Sequence, residues 1–122
     1  MHDVIDLEEK LNRFDDLWHP RIIGEANGQY LKLAHGEGSL EWHSHEHEDE
    51  VFLCLRGRIV LEMRDREVAL EPGQLFIMPR GVEHRPRAEP TASVLLFEPA
   101  ATEHLGGDGG AREVDVEDQP RI

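Results

Sequence analysis

Residues 38–57 of this chain read GSLEWHSHEHEDEVFLCLRG, and residues 73–84 read GQLFIMPRGVEH. Each stretch sets histidine beside short apolar runs and is punctuated by glycine or proline, a pattern typical of short β-strands joined by tight turns. Together the two stretches also contain the histidines and acids of a metal site. They therefore predict an all-β fold and show where to look for function.

Four side chains are predicted to form the metal site: His43, His45, Glu50 and His84. The first two histidines lie two residues apart, so on an extended strand both imidazoles leave the same face. Glu50 follows five residues later and joins them only if the chain turns through residues 46–49, which are polar enough to form a loop. His84 comes from the second stretch, directly after a Pro-Arg-Gly turn.

Three nearby residues are alternatives to this set. His47 continues the spacing of the two preceding histidines, but it falls in the predicted loop and is expected at the surface. Glu48 and Asp49 are alternative carboxylates, yet only Glu50 has six residues between itself and Gly57.

Three imidazoles and one carboxylate are mixed nitrogen and oxygen donors of intermediate softness. The set suits a divalent transition metal (Fe, Mn, Ni, Zn, Co or Cu, with the identity open) and is too rich in nitrogen for calcium or magnesium. If the metal is six-coordinate, two positions remain for water, substrate or dioxygen. Such open positions distinguish a catalytic metal from a closed structural one.

Further polar residues are weighed for a part in the site, and no catalytic residue is identified. His35 lines the cavity only if it points inward, and a core or solvent-facing position is the commoner outcome. Arg80 binds a carboxylate or phosphate if it reaches the mouth of the barrel. Cys54 is expected to wall the pocket. The remaining histidines are expected to have no role: His2, His19 and His104.

The chain is expected to form one domain in three parts: a helix and lead-in at residues 1–20, a β-barrel at 21–104 and a flexible acidic tail at 105–122. The helix is expected within residues 3–17, where apolar residues recur at helical spacing and Asp6 begins a capping box. The tail has almost nothing to bury, so its removal is expected to leave thermal stability nearly unchanged.

Turn residues divide the barrel into short strands. Asn27-Gly28 predicts a tight hairpin. Gly57 and Gly73 are expected in tight turns, and Gly81 in a backbone conformation with positive φ. Beyond the hairpin, strands are predicted at residues 40–45, 50–56, 58–64, 67–71, 74–79, 84–88 and 93–98.

The two stretches resemble the paired motifs of the cupin superfamily, at the four ligand positions and at Pro79 and the turn glycines. The chain is most similar to small single-domain bacterial cupins of the conserved-barrel cupin 2 type. Where that family usually has an asparagine, four residues after the last ligand, this chain has Ala88. The resemblance implies a double-stranded β-helix, or jelly roll, with the metal inside the barrel and a dimeric assembly.

Charge and composition limit the possible partners. Twenty-six Asp and Glu residues against 13 Lys and Arg residues give a net charge of -13, which argues against nucleic acid and anionic membranes as partners. The single cysteine fits a reducing compartment, and no signal peptide or membrane span is recognised, so the cytoplasm is expected. A homodimer is expected from the resemblance and from the apolar strand face of Val51, Leu53 and Leu55.

Two functions remain open for such a chain. One is a metal-dependent enzyme of dioxygenase or isomerase type that acts on a small organic molecule in the barrel. The other is a non-catalytic module that binds a small molecule or a metal. Fold does not decide between them, and the lack of an evident general base beyond the ligands counts against the enzyme.

Overall fold

The computed structural model describes residues 3–102, 104, 106 and 113–122. Within them the chain is mainly β-structure with one short α-helix, as predicted. Among the described helices, none is both long enough and apolar enough to cross a membrane. The elements are α1 (Leu7–Leu11), β1 (Arg21–Ala26), β2 (Gln29–Ser39), β3 (Glu50–Met63), β4 (Glu67–Leu70), β5 (Leu75–Met78), β6 (His84–Pro99) and a 3₁₀ turn (Val116–Asp118).

The six strands form one antiparallel sheet in the order β1-β2-β6-β3-β4, and β5 also pairs with β3. The two long strands, β3 and β6, pair with one another almost from end to end, and the register shifts twice near Gly57. Such bulges bend a strand and increase its twist. They curve the sheet so that its apolar inner face encloses a core.

Two predicted breaks lie inside continuous strands. The turn expected at Gly57 is instead a bulged bend in β3, where φ is 70° and a Cβ atom would collide with the backbone of Thr91. The gap expected between the predicted strands 84–88 and 93–98 is also absent, because both belong to the continuous strand β6. Pairing between β3 and β6 keeps both strands continuous at positions whose residues usually end a strand.

The strand predicted at residues 40–45 is not formed. This segment is a loop that touches the sheet through one bridge, between His43 and His84. By contrast, the hairpin predicted at Asn27-Gly28 is confirmed, and both residues have positive φ (55° and 75°) as a type I′ turn requires. Gly81 also has the positive φ predicted for it, 79°.

The N-terminal helix is shorter than the predicted range 3–17. Asp6 caps it by accepting a hydrogen bond from the backbone N–H of Glu9 (3.2 Å), and helical structure ends at Leu11. Val4 lies before the helix and is 96% exposed, so it contributes no packing. Leu11 packs with Ile23 and Leu33 in a small cluster outside the barrel, and Leu7 and Phe14 pack against this cluster.

Residues 120–122 at the end of the chain lie against β1. The N–H of Ile22 donates to Pro120 O (2.9 Å), and the N–H of Ile122 donates to Ile22 O (3.0 Å). Gln119 is buried and Ile122 is half-buried, so these residues pack more than the sequence-based expectation of a tail with almost nothing to bury. Of the remaining predicted tail, residues 105 and 107–112 lie outside the described residues.

Candidate metal centre

The barrel brings together the four side chains predicted as ligands: His43, His45, Glu50 and His84. All four are buried, and one ligand atom from each lies within 4.8 Å of the others. The sequence-based grouping of these residues therefore corresponds to one cluster in space.

The bend of β3 is needed to form this cluster. Glu50 begins β3, whereas His84 begins β6 and is paired with Met63 at the far end of β3. A straight strand of this length would span roughly 40 Å at about 3.3 Å per residue. The bend at Gly57 brings the two ends of the strand to the same ion-sized space.

The loop before β3 is held by backbone hydrogen bonds on both sides. The N–H groups of His43 and His84 each donate to the other residue's carbonyl oxygen, at 2.9 and 2.8 Å. The N–H of Gly81 donates to His45 O at 2.8 Å. These contacts place both loop histidines on the inner side of the barrel without a regular strand.

Two of the imidazoles are fixed in a metal-binding tautomer. His43 Nδ1 donates to Glu41 O (2.8 Å), and His84 Nδ1 donates to Val82 O (2.9 Å). Because a carbonyl oxygen only accepts, each Nδ1 carries the proton and each Nε2 keeps a free lone pair. A hydrogen bond at the second ring nitrogen is the usual way that proteins orient a histidine ligand.

The inward-facing atoms lack hydrogen-bond partners among the described residues. They are His45 Nε2, His84 Nε2 and Glu50 Oε1, with the carboxylate oxygen 3.5 and 3.7 Å from the two nitrogens. Buried polar atoms are seldom left unpaired, because their desolvation is then uncompensated. A divalent transition metal satisfies these atoms at once, so the donor set fits such an ion.

The electrostatics of the cluster favour the metal-binding form of His43 and of Glu50. Burial, assisted by the nearby His84, lowers the pKa of His43 to about 4, so this imidazole is neutral at neutral pH. Burial alone would raise the pKa of Glu50, but its interactions with the neighbouring His45, His84 and Glu98 hold it well below its usual range. Burial would lower the pKa of His45, and the carboxylate of Glu50 raises it instead.

Sequence reasoning missed Lys32 and Glu98, which lie behind Glu50. Lys32 is fully buried and Glu98 is 2% exposed, and Lys32 Nζ lies 2.9 Å from Glu98 Oε1. Burial and the adjacent Glu50 hold the pKa of Glu98 well above its usual range, although Lys32 opposes this.

His104 was also missed, and it lines the cavity above the cluster. Its Nδ1 accepts a hydrogen bond from the N–H of Val114 (3.1 Å), so the neutral ring carries its proton on Nε2. Burial lowers the pKa of His104 to about 4. No motif or strand alternation indicates this residue, because it follows the last strand. Its position depends on a contact with Val114, later in the chain.

The enclosed cavity beside the ligands is small. Its volume is about 30 Å³, and apolar side chains such as Phe52, Ile59 and Leu96 form most of its wall. A water molecule needs roughly 10–15 Å³ of such space. The cavity therefore holds about two waters or a chemical group of similar size.

The other weighed residues lie outside the cluster. His47 is exposed, as expected, and Asp49 accepts hydrogen bonds from exposed Arg80, which therefore does not face the cavity. His35 packs on the outer side, where Nε2 donates to Leu11 O (3.0 Å). Cys54 is buried in the core, and burial raises the pKa of its thiol. His2 lies outside the described residues.

Comparison with known proteins agrees with this architecture. Residues 29–99 match the family described as Cupin domain. A protein of Bacillus subtilis (strain 168), described as uncharacterized protein YdbB, is 34% identical over 67 residues. That match covers 54% of this chain and 59% of the relative, so it spans less than two thirds of the relative's length.

Two crystal structures are similar over most of the chain. A cupin-2 domain containing protein from Shewanella frigidimarina NCIMB 400 has a TM-score of 0.77 and 36% identity, covering 79% of this chain and 94% of that one. A protein from Neisseria meningitidis has a TM-score of 0.74 and 28% identity, covering 80% and 99%. The family match at residues 29–99 includes β2 to β6 and all four candidate ligands.

Proposed function

The protein belongs to the cupin domain family, and from that premise we propose that it binds one divalent transition-metal ion and acts with it on a small organic molecule. The observation that carries the proposal is the set of buried, unpartnered donor atoms from His45, Glu50 and His84, with His43 beside them. A dioxygenase or isomerase is the enzyme type that this donor set supports best. Bound there, the metal supplies Lewis acidity or an electron to a substrate.

The chain's own residues contribute binding and exclusion of water. The apolar wall around Phe52 and Ile59 keeps bulk solvent from the donor atoms, which strengthens electrostatic interactions inside the barrel. His104 presents a neutral imidazole to the same cavity and provides a hydrogen-bonding group that is not a ligand. Because the cavity is only about 30 Å³, the proposed substrate places only its reacting end there.

The alternative is a non-catalytic module that binds a small molecule or the metal alone. The small cavity favours it, since an organic substrate has little enclosed room. In that case the protein binds a metal and a small ligand, and no turnover follows. Substrate-dependent uptake of dioxygen, or formation of a product, supports the enzyme, whereas binding without turnover supports the module.

The first experiment measures metal content in protein purified without an affinity tag or chelator and then reconstituted under anaerobic conditions. We expect about one ion per chain in the wild type and near-complete loss in His45→Ala, with β-sheet circular dichroism unchanged. His47→Ala is the matched control, because this histidine is exposed and two residues away. Wild-type protein without metal, or full metal content in His45→Ala, contradicts the proposal.

Metal identity directs the next assays. Iron or copper leads to dioxygen-dependent assays with small aromatic, keto-acid and thiol compounds. Zinc, manganese or nickel favours isomerase or hydrolytic chemistry. We further propose a reducing cytoplasmic location, from the single buried Cys54, and neither nucleic acid nor membrane as partner, from the net charge of -13.

A further inference from the structure

Lys32 and Glu98 are ionisable residues in the apolar interior, and their burial is costly for a domain of this size. Lys32 has no exposed surface and Glu98 has 2%. Desolvation of such groups often exceeds the gain from their attraction, and apolar residues of similar volume commonly stabilise a protein as well or better. Stability alone therefore does not explain why the two residues occupy the core.

Their hydrogen bonding is also incomplete. Lys32 Nζ lies 2.9 Å from Glu98 Oε1, but its geometry does not make a good hydrogen bond with any described residue. Glu98 Oε2 likewise has no hydrogen-bond partner in the described part of the chain. A pair selected only to hold the barrel together would be expected to satisfy these atoms.

Strand register connects the pair to the metal centre. Val51 in β3 lies opposite Phe97 in β6, so the next position along the ladder sets Glu50 opposite Glu98. Tyr30 in β2 lies opposite Glu98, which places Lys32 diagonally across from Glu98 on the same inner face. The order across three neighbouring strands is therefore Lys32, Glu98 and then Glu50.

We propose that Lys32 and Glu98 are positioning residues that hold the carboxylate of Glu50 in its ligating orientation. This inference rests on the proposed metal binding and extends it to residues outside the donor group. Glu98 lies across the ladder from Glu50 and interacts with its carboxylate, whose Oε1 lies 3.5 and 3.7 Å from the two Nε2 atoms. Lys32 in turn keeps Glu98 in place and balances the negative charge of the carboxyl pair.

The test uses cobalt(II) as the probe and the full-length chain prepared without metal. The double variant K32M/E98L replaces the pair by apolar side chains of similar size. We expect it to fold with a melting temperature, measured without metal, equal to or above that of the wild type. Its cobalt(II) dissociation constant should rise by roughly 10- to 100-fold, the usual effect of losing a residue that orients a ligand.

The matched control is E62Q, which alters another poorly exposed glutamate of β3. Glu62 pairs with Arg85 and Arg87 on the outer face, away from the cluster. We expect this variant to bind cobalt(II) as tightly as the wild type. A weakened E62Q would show a general effect of disturbing β3 and would overturn the inference.

Three further outcomes of the cobalt(II) measurement also test the inference. If the folded double variant binds cobalt(II) like the wild type, the pair has no positioning role, while the proposed metal binding stands. If the double variant does not fold, the cobalt(II) dissociation constant of E98Q is compared with that of the wild type instead, because this variant keeps the size of the side chain. If the wild type binds no metal, the proposed function fails and this inference fails with it.

Discussion

At the scale of single residues, His104 affects stability without belonging to the donor group. Its pKa is about 4 in the folded protein, against 6.5 for an exposed histidine. Between these values the unfolded chain binds the additional proton, so acidification favours unfolding. The wild type should lose roughly 1 kcal/mol more than His104→Gln for each pH unit below 6.5, close to the linkage slope for one proton.

Denaturant unfolding of metal-free protein between pH 7.5 and 4 checks this expectation. The stability difference between wild type and His104→Gln should be constant above pH 7 and should shrink toward pH 4. Parallel profiles over the whole range would mean that His104 titrates as it does in the unfolded chain. Metal content of the variant should stay near one ion per chain, since His104 is not among the clustered ligands.

The sequence predicted the donor cluster better than its surroundings. His43, His45, Glu50 and His84 are identifiable because their spacing and turn residues form a motif. Glu98 was only weakly predictable: it lies two residues after Leu96 and four after Val94, on the same inward face of β6. Lys32 and His104 had none, since burial of a lysine or of a histidine after the last strand depends on contacts between distant parts of the chain.

At the scale of elements, the C-terminal segment is expected to stabilise the barrel. It adds two backbone hydrogen bonds to Ile22, and Ile122 packs near Leu11 and Leu33. Deletion of residues 119–122 should lower the free energy of unfolding by roughly 2–3 kcal/mol, from about 1 kcal/mol per hydrogen bond and partial burial of one isoleucine. Thermal and urea unfolding measure the loss.

Glu117→Ala is the control for that deletion, because Glu117 is exposed in the same segment. Its stability should stay within about 0.5 kcal/mol of the wild type, as for most surface substitutions. An unchanged melting temperature after the deletion would restore the sequence-based expectation of a tail that does not contribute to stability.

Elements were predicted well where local signals are strong and less well where distant pairing decides. The Asn27-Gly28 hairpin needs only residues with positive φ, so it is visible in the sequence. Gly57 likewise indicates a backbone position with positive φ, but glycine is favoured for this reason both in a turn and in a bulged bend. Only the pairing of β3 with β6 distinguishes them.

At the scale of the whole molecule, we propose that a second copy covers the outer face of β5 and β3. Leu75 and Ile77 are 56% and 55% exposed, and they lie in register with Leu53 and Val51. Leu95 and Phe97 extend the same apolar face on β6. An exposed apolar strand at a sheet edge is a typical association surface, and symmetric dimers are the commonest assemblies.

Ile77→Lys should therefore shift the protein from dimer to monomer, because it places a charge in the centre of this face. Light scattering coupled to size-exclusion chromatography measures the mass. Val4→Lys is the control, since Val4 is equally apolar and more exposed but lies away from the face. A wild type that is monomeric at micromolar concentration, or a dimeric Ile77→Lys, contradicts the proposed interface.

The convergence of both ends of β3 has a consequence for the lifetime of the folded state. An ion held by Glu50 and His84 joins the beginning of the ladder to its far end, across the whole bend at Gly57. Opening the barrel then requires release of the ion as well as separation of the strands. Bound metal should therefore slow the unfolding of the protein while leaving its native structure nearly unchanged. The metal-bound protein should resist proteolysis longer than the metal-free protein.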